Sequence, residues 1–117
     1  MKLKELRPYL RGSYAAKFEN FKIDLWNSRL ILRFRILHEN IEVSHVIFLH
    51  DLHIVKRDIP KFLSALNVSD DTEIGNPFEC DKTFIKLLKS LRGKTLKLHI
   101  TDFYGYGGIT DFYKVEN

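Results

Sequence analysis

The clearest pattern in the chain places Leu30, Leu32, Phe34 and Ile36 on one face of an extended segment and Arg29, Arg33 and Arg35 on the other. Apolar residues at every second position bury one face of an extended strand and leave the other in water. Upstream, from Gly12 to about Ile23, Tyr14, Ala16 and Phe18 alternate with Ala15, Lys17 and Glu19, but Phe21, Ile23 and Leu25 continue on the opposite phase. An extra residue near Asn20 accounts for this, because a bulge in a period-two pattern moves every later side chain to the other face. The turn candidate Trp26-Asn27-Ser28 joins the two strands. A third strand from Ile41 to about Leu49 follows His38-Glu39-Asn40 and forms a hairpin with the second. Its phase is open: Val43, Ile47 and Leu49 can point inward with Ser44, Val46, Phe48 and His50 outward, or the reverse, since both faces are largely apolar.

From Asp58 the period becomes helical. Asp58 can cap a helix whose early turn tolerates Pro60, with Phe62, Leu63 and Leu66 as its apolar face and an end near Asn67. After the polar link Ser69-Asp70-Asp71-Thr72, Asn76 is a plausible cap, Pro77 a first helical residue and Glu79 stands three after the cap. Phe84, Leu87, Leu88 and Leu91 then form a stripe, Lys89 and Arg92 fall in the last turn, and Gly93 stops the helix. Leu96, Leu98 and Ile100 alternate with polar neighbours, and Ile109 to Val115 returns after the loop Asp102 to Gly108. The order β-β-β-α-α-β-β predicts a mainly β chain: a five-stranded OB-fold, a Greek-key β-barrel with its helical insertion between strands 3 and 4. The bulge in strand 1 fits, because that strand must bend to pair in both halves of a closed barrel.

At 117 residues the chain suits a single domain, 1–117, and is too short for a TIM barrel. No strand, Gly-rich turn and crossover helix suggests a doubly wound nucleotide-binding sheet. The net charge of +4 is unevenly spread: Met1 to Arg57 holds eleven basic and six acidic residues, whereas Asp58 to Asn117 holds eight and nine. The basic first half points to an anionic partner. The single cysteine, Cys80, cannot form an internal disulfide, and no apolar run approaches membrane-spanning length, so a cytoplasmic protein with no membrane partner is expected.

On an OB-type surface, nucleic acid lies across the outer face of strands 2 and 3, flanked by the loops joining strands 1 to 2 and 4 to 5. Arg29, Arg33 and Arg35 line that face, with Lys17 and Lys22 on the neighbouring strand as additions. Guanidinium groups grip phosphates bidentately and stack on bases, although any half-exposed strand also needs polar residues outside. Phe18, Phe34, Phe62 and Phe84 read as core. Trp26, Phe48, Phe103, Tyr104 and Tyr106 sit where rings could stack on bases; Trp26 and Phe103 could equally fold back as lids over the barrel ends. His45, His50, Asp51 and His53 cluster, but no second ligand pair stands at zinc-like spacing, so neither a metal nor another cofactor is expected. No nucleophile elbow, placeable triad or paired catalytic carboxylates appear, and an enzyme is not expected.

The segments GSYAAKFENF, SRLILRFRI and RGKTLKLHITDFYGYGGITDFYKV, with the apolar third strand and two helical segments between them, resemble the small single-stranded DNA-binding proteins of bacteriophages, particularly those of lactococcal-type phages. The resemblance covers essentially the whole chain and rests on topology and character. It implies an OB-fold, sequence-tolerant binding of single-stranded DNA in phage replication and recombination, homo-oligomers, and cooperation with a phage recombinase or replication proteins. By position the implied contacts are Trp26, Arg33, Arg35, Phe48, Tyr104 and Tyr106, to which the strand pattern adds Arg29. The sequence ends with Lys114-Val115-Glu116-Asn117 directly after the last strand, so recruitment of partners through an acidic tail of the bacterial kind is not expected. The rival expectation is a protein-interaction barrel, an accessory subunit or inhibitor whose Trp, Tyr and Arg form a partner interface instead.

Overall fold

The computed structural model describes residues 2, 9–104 and 108–115. Five strands form one antiparallel sheet: β1 (Tyr9–Asp24), β2 (Arg29–Ile36), β3 (Ile41–Phe48), β4 (Thr95–Tyr104) and β5 (Ile109–Tyr113). Two helices, α1 (Leu52–Ala65) and α2 (Lys82–Leu91), lie between β3 and β4 in sequence. The spatial order is β3-β2-β1-β4-β5, so the long β1 pairs with β2 through its second half and with β4 through its first. The expected closure into a barrel is not seen: β3 and β5 are the two edges, and no ladder joins them among the described residues.

The phase change expected in strand 1 is a register shift between Phe18 and Asn20 in the β1–β2 ladder. Glu19 is the extra residue. Beyond it Phe21 and Ile23 face Leu32 and Leu30 on the core side, while Asn20, Lys22 and Asp24 turn outward beside Arg33, Ile31 and Arg29. In β3, Val43 and Ile47 are buried and Phe48 is exposed, which fixes the phase that the sequence left open.

What occupies the gap between the edges is α1. Phe62 packs edge-on against Phe18, Phe34 and Phe112 at ring separations of 5.0, 5.9 and 5.8 Å, joining β1, β2 and β5 through one helix residue. Each such ring pair adds about 0.5–1.5 kcal/mol beyond the area it buries. His45 of β3 reaches across to Phe112 of β5 at 5.3 Å, also edge-on. The same histidine places Nε2 2.8 Å from Oδ2 of Asp58, and Arg57 donates from Nε to Oδ1 at 2.8 Å. A carboxylate only accepts, so the His45 Nε2 carries the proton of that bond. Burial pushes the Asp58 carboxyl up, but the hydrogen bonds from Arg57 and His45 outweigh it and hold it below the usual carboxylate range.

Both helices begin later or earlier than the sequence suggests. The first starts at Leu52 because Asp51 accepts from the Ile54 N–H; Asp58 is then a mid-helix residue and Pro60 lies inside the helix. The second starts at Lys82, not Pro77, because Asp81 is the cap and accepts from Phe84. Asn76 and Pro77 belong to the preceding turn, folded back so that the Asn76 N–H donates to Asp81. Strand β4 extends through Phe103, which is 1% exposed, so this ring is core rather than a loop residue. Strand β5 ends at Tyr113, two residues short of Val115. Among the described residues no helix is long and apolar enough to cross a membrane.

Candidate nucleic-acid interface

The outward face of β1, β2 and β3 is built in rows set by the ladders: Lys17, Arg35 and Glu42; Asn20, Arg33 and Ser44; Lys22, Ile31 and Val46; Asp24, Arg29 and Phe48. Ala15 and Lys97 extend the face onto β4. The three arginines of β2 are therefore neighbours, as their alternation requires. They are not equivalent. Arg29 donates to Asp24 at 2.7 Å, and Arg35 donates to Glu19 at 2.6 Å and reaches Glu42 at 3.5 Å. The bulge supplies the acid for the second pair, since it lifts Glu19 out of the ladder and leaves it beside Arg35. The face thus does carry interleaved acids, from β1 and β3, and two of its three arginines are largely neutralised.

Arg33 differs. Between Asn20 and Ser44, it has no ion-pair partner among the described residues, and neither do Lys17, Lys22 and Lys97. Lys97, Lys17 and Arg33 follow a diagonal from β4 over β1 to β2, across strands about 4.8 Å apart, and Lys22 lies one outward row beyond Arg33, back on β1. A phosphate chain on this track meets charge that no protein carboxylate has already taken up.

At the far end of the diagonal lies the β1–β2 turn. Asp24 organises it, accepting from the Asn27 side chain at 2.9 Å and from the Asn27 N–H at 3.2 Å. The Asn27 side-chain bond first, then the bond from Arg29 and the Asn27 N–H, hold the Asp24 carboxyl down at about 2. Ser28 takes a positive φ of 51°, and its carbonyl accepts from the Leu49 N–H at 2.7 Å, which ties the turn to the end of β3. Trp26 projects from this turn 95% exposed and does not fold back as a lid. Phe48, directly opposite Arg29, is 42% exposed with the His50 ring edge-on at 6.2 Å. Leu25 and Leu52 are exposed at the same end.

Tyr104 is the last residue of β4, paired with Tyr9, and Tyr106 lies outside the described residues. The histidine cluster is dispersed in role: Asp51 caps α1, His45 is bound to Asp58, and His50 lies against Phe48. Burial pushes the Cys80 thiol up to about 11, which keeps it protonated and unreactive at neutral pH. Among the described residues no group of three His, Cys, Asp or Glu is placed to hold a metal ion. Comparisons of the chain with protein-family models, curated proteins and solved structures return no match.

Proposed function

We propose that this chain is an OB-type module that binds single-stranded DNA without sequence preference, in phage replication or recombination, across the outward face of β1, β2 and β3. The strand order β3-β2-β1-β4-β5 is that of an OB barrel opened between its third and fifth strands, with α1 lying where those strands would meet. One observation carries the reading: Lys97, Lys17, Arg33 and Lys22, none with an ion-pair partner among the described residues, lead across the sheet toward Phe48 and the exposed Trp26. Cations along a groove with rings at its end are what sequence-tolerant single-strand binding uses, at about 1–3 kcal/mol per stacked base. Arg33 is the principal phosphate ligand in this reading, with Arg29 and Arg35 orienting the neighbouring side chains more than supplying charge.

The rival reading, a protein-binding barrel, draws on Leu25, next to Trp26 in the chain, and Leu52 at the start of α1, exposed aliphatic residues that stack poorly on bases. Anisotropy of a labelled oligo-dT and of a labelled duplex, titrated across salt, separates the two. Four phosphate contacts give a log–log salt slope of about −3 for a single strand. Binding of oligo-dT with such a slope, and weak binding of duplex, supports the proposal; no binding of either removes nucleic acid and leaves the protein interface.

A further inference from the structure

A second set of cations without ion-pair partners among the described residues lies off the sheet. Helix α2 buries Phe84, Leu88 and Leu91 and exposes Lys82, Lys86 and Lys89 on its other side. Spacings of four and three residues at 3.6 per turn align these lysines in one stripe. Arg92 and Lys94, both exposed, extend the stripe through the corner into β4. None of the five has an ion-pair partner among the described residues. The nearest acid in sequence, Asp81, is engaged in capping, accepting from Phe84 and Asn76. Like charges at this spacing weaken a helix, so the bare stripe is a cost to the fold. On the sheet, by contrast, two arginines have been given carboxylates.

The stripe also runs toward the proposed interface. Gly93 donates to the Phe18 carbonyl at 2.7 Å and Phe18 donates to the Lys94 carbonyl at 2.8 Å, clasping the end of α2 to the bulge of β1. Lys17, the adjacent residue, pairs with Thr95 and faces Arg35 across the sheet. Cations therefore continue from Lys82 along the helix, around the corner at Arg92 and Lys94, to Lys17 and the diagonal beyond it.

We infer that α2 is a second phosphate-binding surface, continuous with the first, over which a longer single strand turns from the sheet onto the helix. This rests on the sheet binding single strands, and the experiment keeps the two apart. Salt titrations are run with an oligo-dT of about six nucleotides and one of about twenty, either side of much of the range of OB site sizes. The proteins are the wild type, the triple variant K82Q/K86Q/K89Q, which keeps good helix formers at exposed positions, and K82R/K86R/K89R, which keeps the charge. Three lost contacts lower the long-oligo slope by about 2, or roughly a hundredfold in affinity at 0.1 M salt.

The inference expects that loss in the glutamine variant only, with short-oligo affinity at its wild-type value, a melting temperature at or above that of the wild type, and the arginine variant unchanged. An unaltered long-oligo slope in the glutamine variant overturns it while leaving the sheet reading intact. Failure of the wild type to bind either oligo overturns both. Binding of anionic phosphatidylserine vesicles by the wild type, lost in the glutamine variant while long-oligo binding persists, assigns the stripe to a membrane surface and also overturns it.

Discussion

Asp58 is the one buried charged residue among the described residues, and replacing it tests how α1 is held against the sheet. Its carboxylate is 8% exposed and ties α1 to β3 through His45, whose side chain is 16% exposed and set edge-on against Phe112. Asp58→Ala removes the acceptor of two donors. Arg57, with 62% of its side chain in water, recovers its hydration and contributes little to the loss. His45 cannot fully do so, and a hydrogen bond to a charged group is worth about 1.5–3 kcal/mol, so a loss of about 2 kcal/mol is expected. In a domain of this size that lowers the melting temperature by roughly 8 °C. Asp58→Asn keeps one acceptor and the volume, and costs about half as much.

Urea unfolding followed by far-UV circular dichroism gives both values, and a double-mutant cycle with His45→Ala gives a coupling of about 1–2 kcal/mol. The pH dependence has a defined sign. The folded carboxyl lies below its unfolded value near 3.9, so its contribution is complete above about pH 5 and is lost as pH falls through the folded value. The gap between the wild type and Asp58→Asn therefore narrows below about pH 4. A loss under 0.5 kcal/mol for Asp58→Ala, or a coupling of zero, would refute the reasoning.

Other expectations concern the face itself and the start of α2. Arg33→Ala lowers the single-strand salt slope by about 0.7 and affinity about fivefold at 0.1 M salt, whereas Arg29→Ala, which frees Asp24, leaves the slope nearly unchanged; equal slopes for the two would contradict the distinction drawn from their pairing. Phe48→Ala weakens oligo-dT binding by about 1–3 kcal/mol with little change in slope, and wild-type affinity would take this ring out of the interface. Gly75→Ala lowers stability by roughly 2 kcal/mol in thermal unfolding, because φ there is +76° and an added Cβ would run into the Asp81 carboxylate that caps α2. A neutral effect would mean that the cap can move without loss.

The alternation of β2 is legible because one face of that strand is wholly buried and the other carries three arginines beside Ile31, and the bulge of β1 because a single extra residue inverts a regular pattern. The phase of β3 was hidden by His45, a polar side chain on the inner face whose partner, Asp58, lies in the next element. The first helix was read late because Leu52, His53 and Ile54 continue the apolar character of β3, although Asp51 was the cap in plain view. For the second, Asn76 and Glu79 mimic a capping box, but the chain takes positive φ at Gly75 and Cys80 and begins the helix after Asp81.

At the site, the sequence brought the three arginines together correctly. It could not distinguish them, because the acids that pair with two of them come from other positions: Glu19 stands sixteen residues before Arg35 and reaches it only through the fold. The lysine stripe of α2 was readable from its spacing, opposite Phe84, Leu88 and Leu91. The acidic links around it masked it in the net charge of the second half, which is why charge placed by structure says more than charge summed over a segment.

The central claim, a single strand lying across the outward face and reaching the β1–β2 turn, is tested most directly at Trp26. It is the sole tryptophan and is 95% exposed, so its emission reports from that turn alone. Titration with oligo-dT is expected to quench it saturably, with the quench reversed by salt and weak with duplex of equal length. Unchanged Trp26 emission under conditions where oligo-dT is shown by anisotropy to be bound would contradict the proposed path.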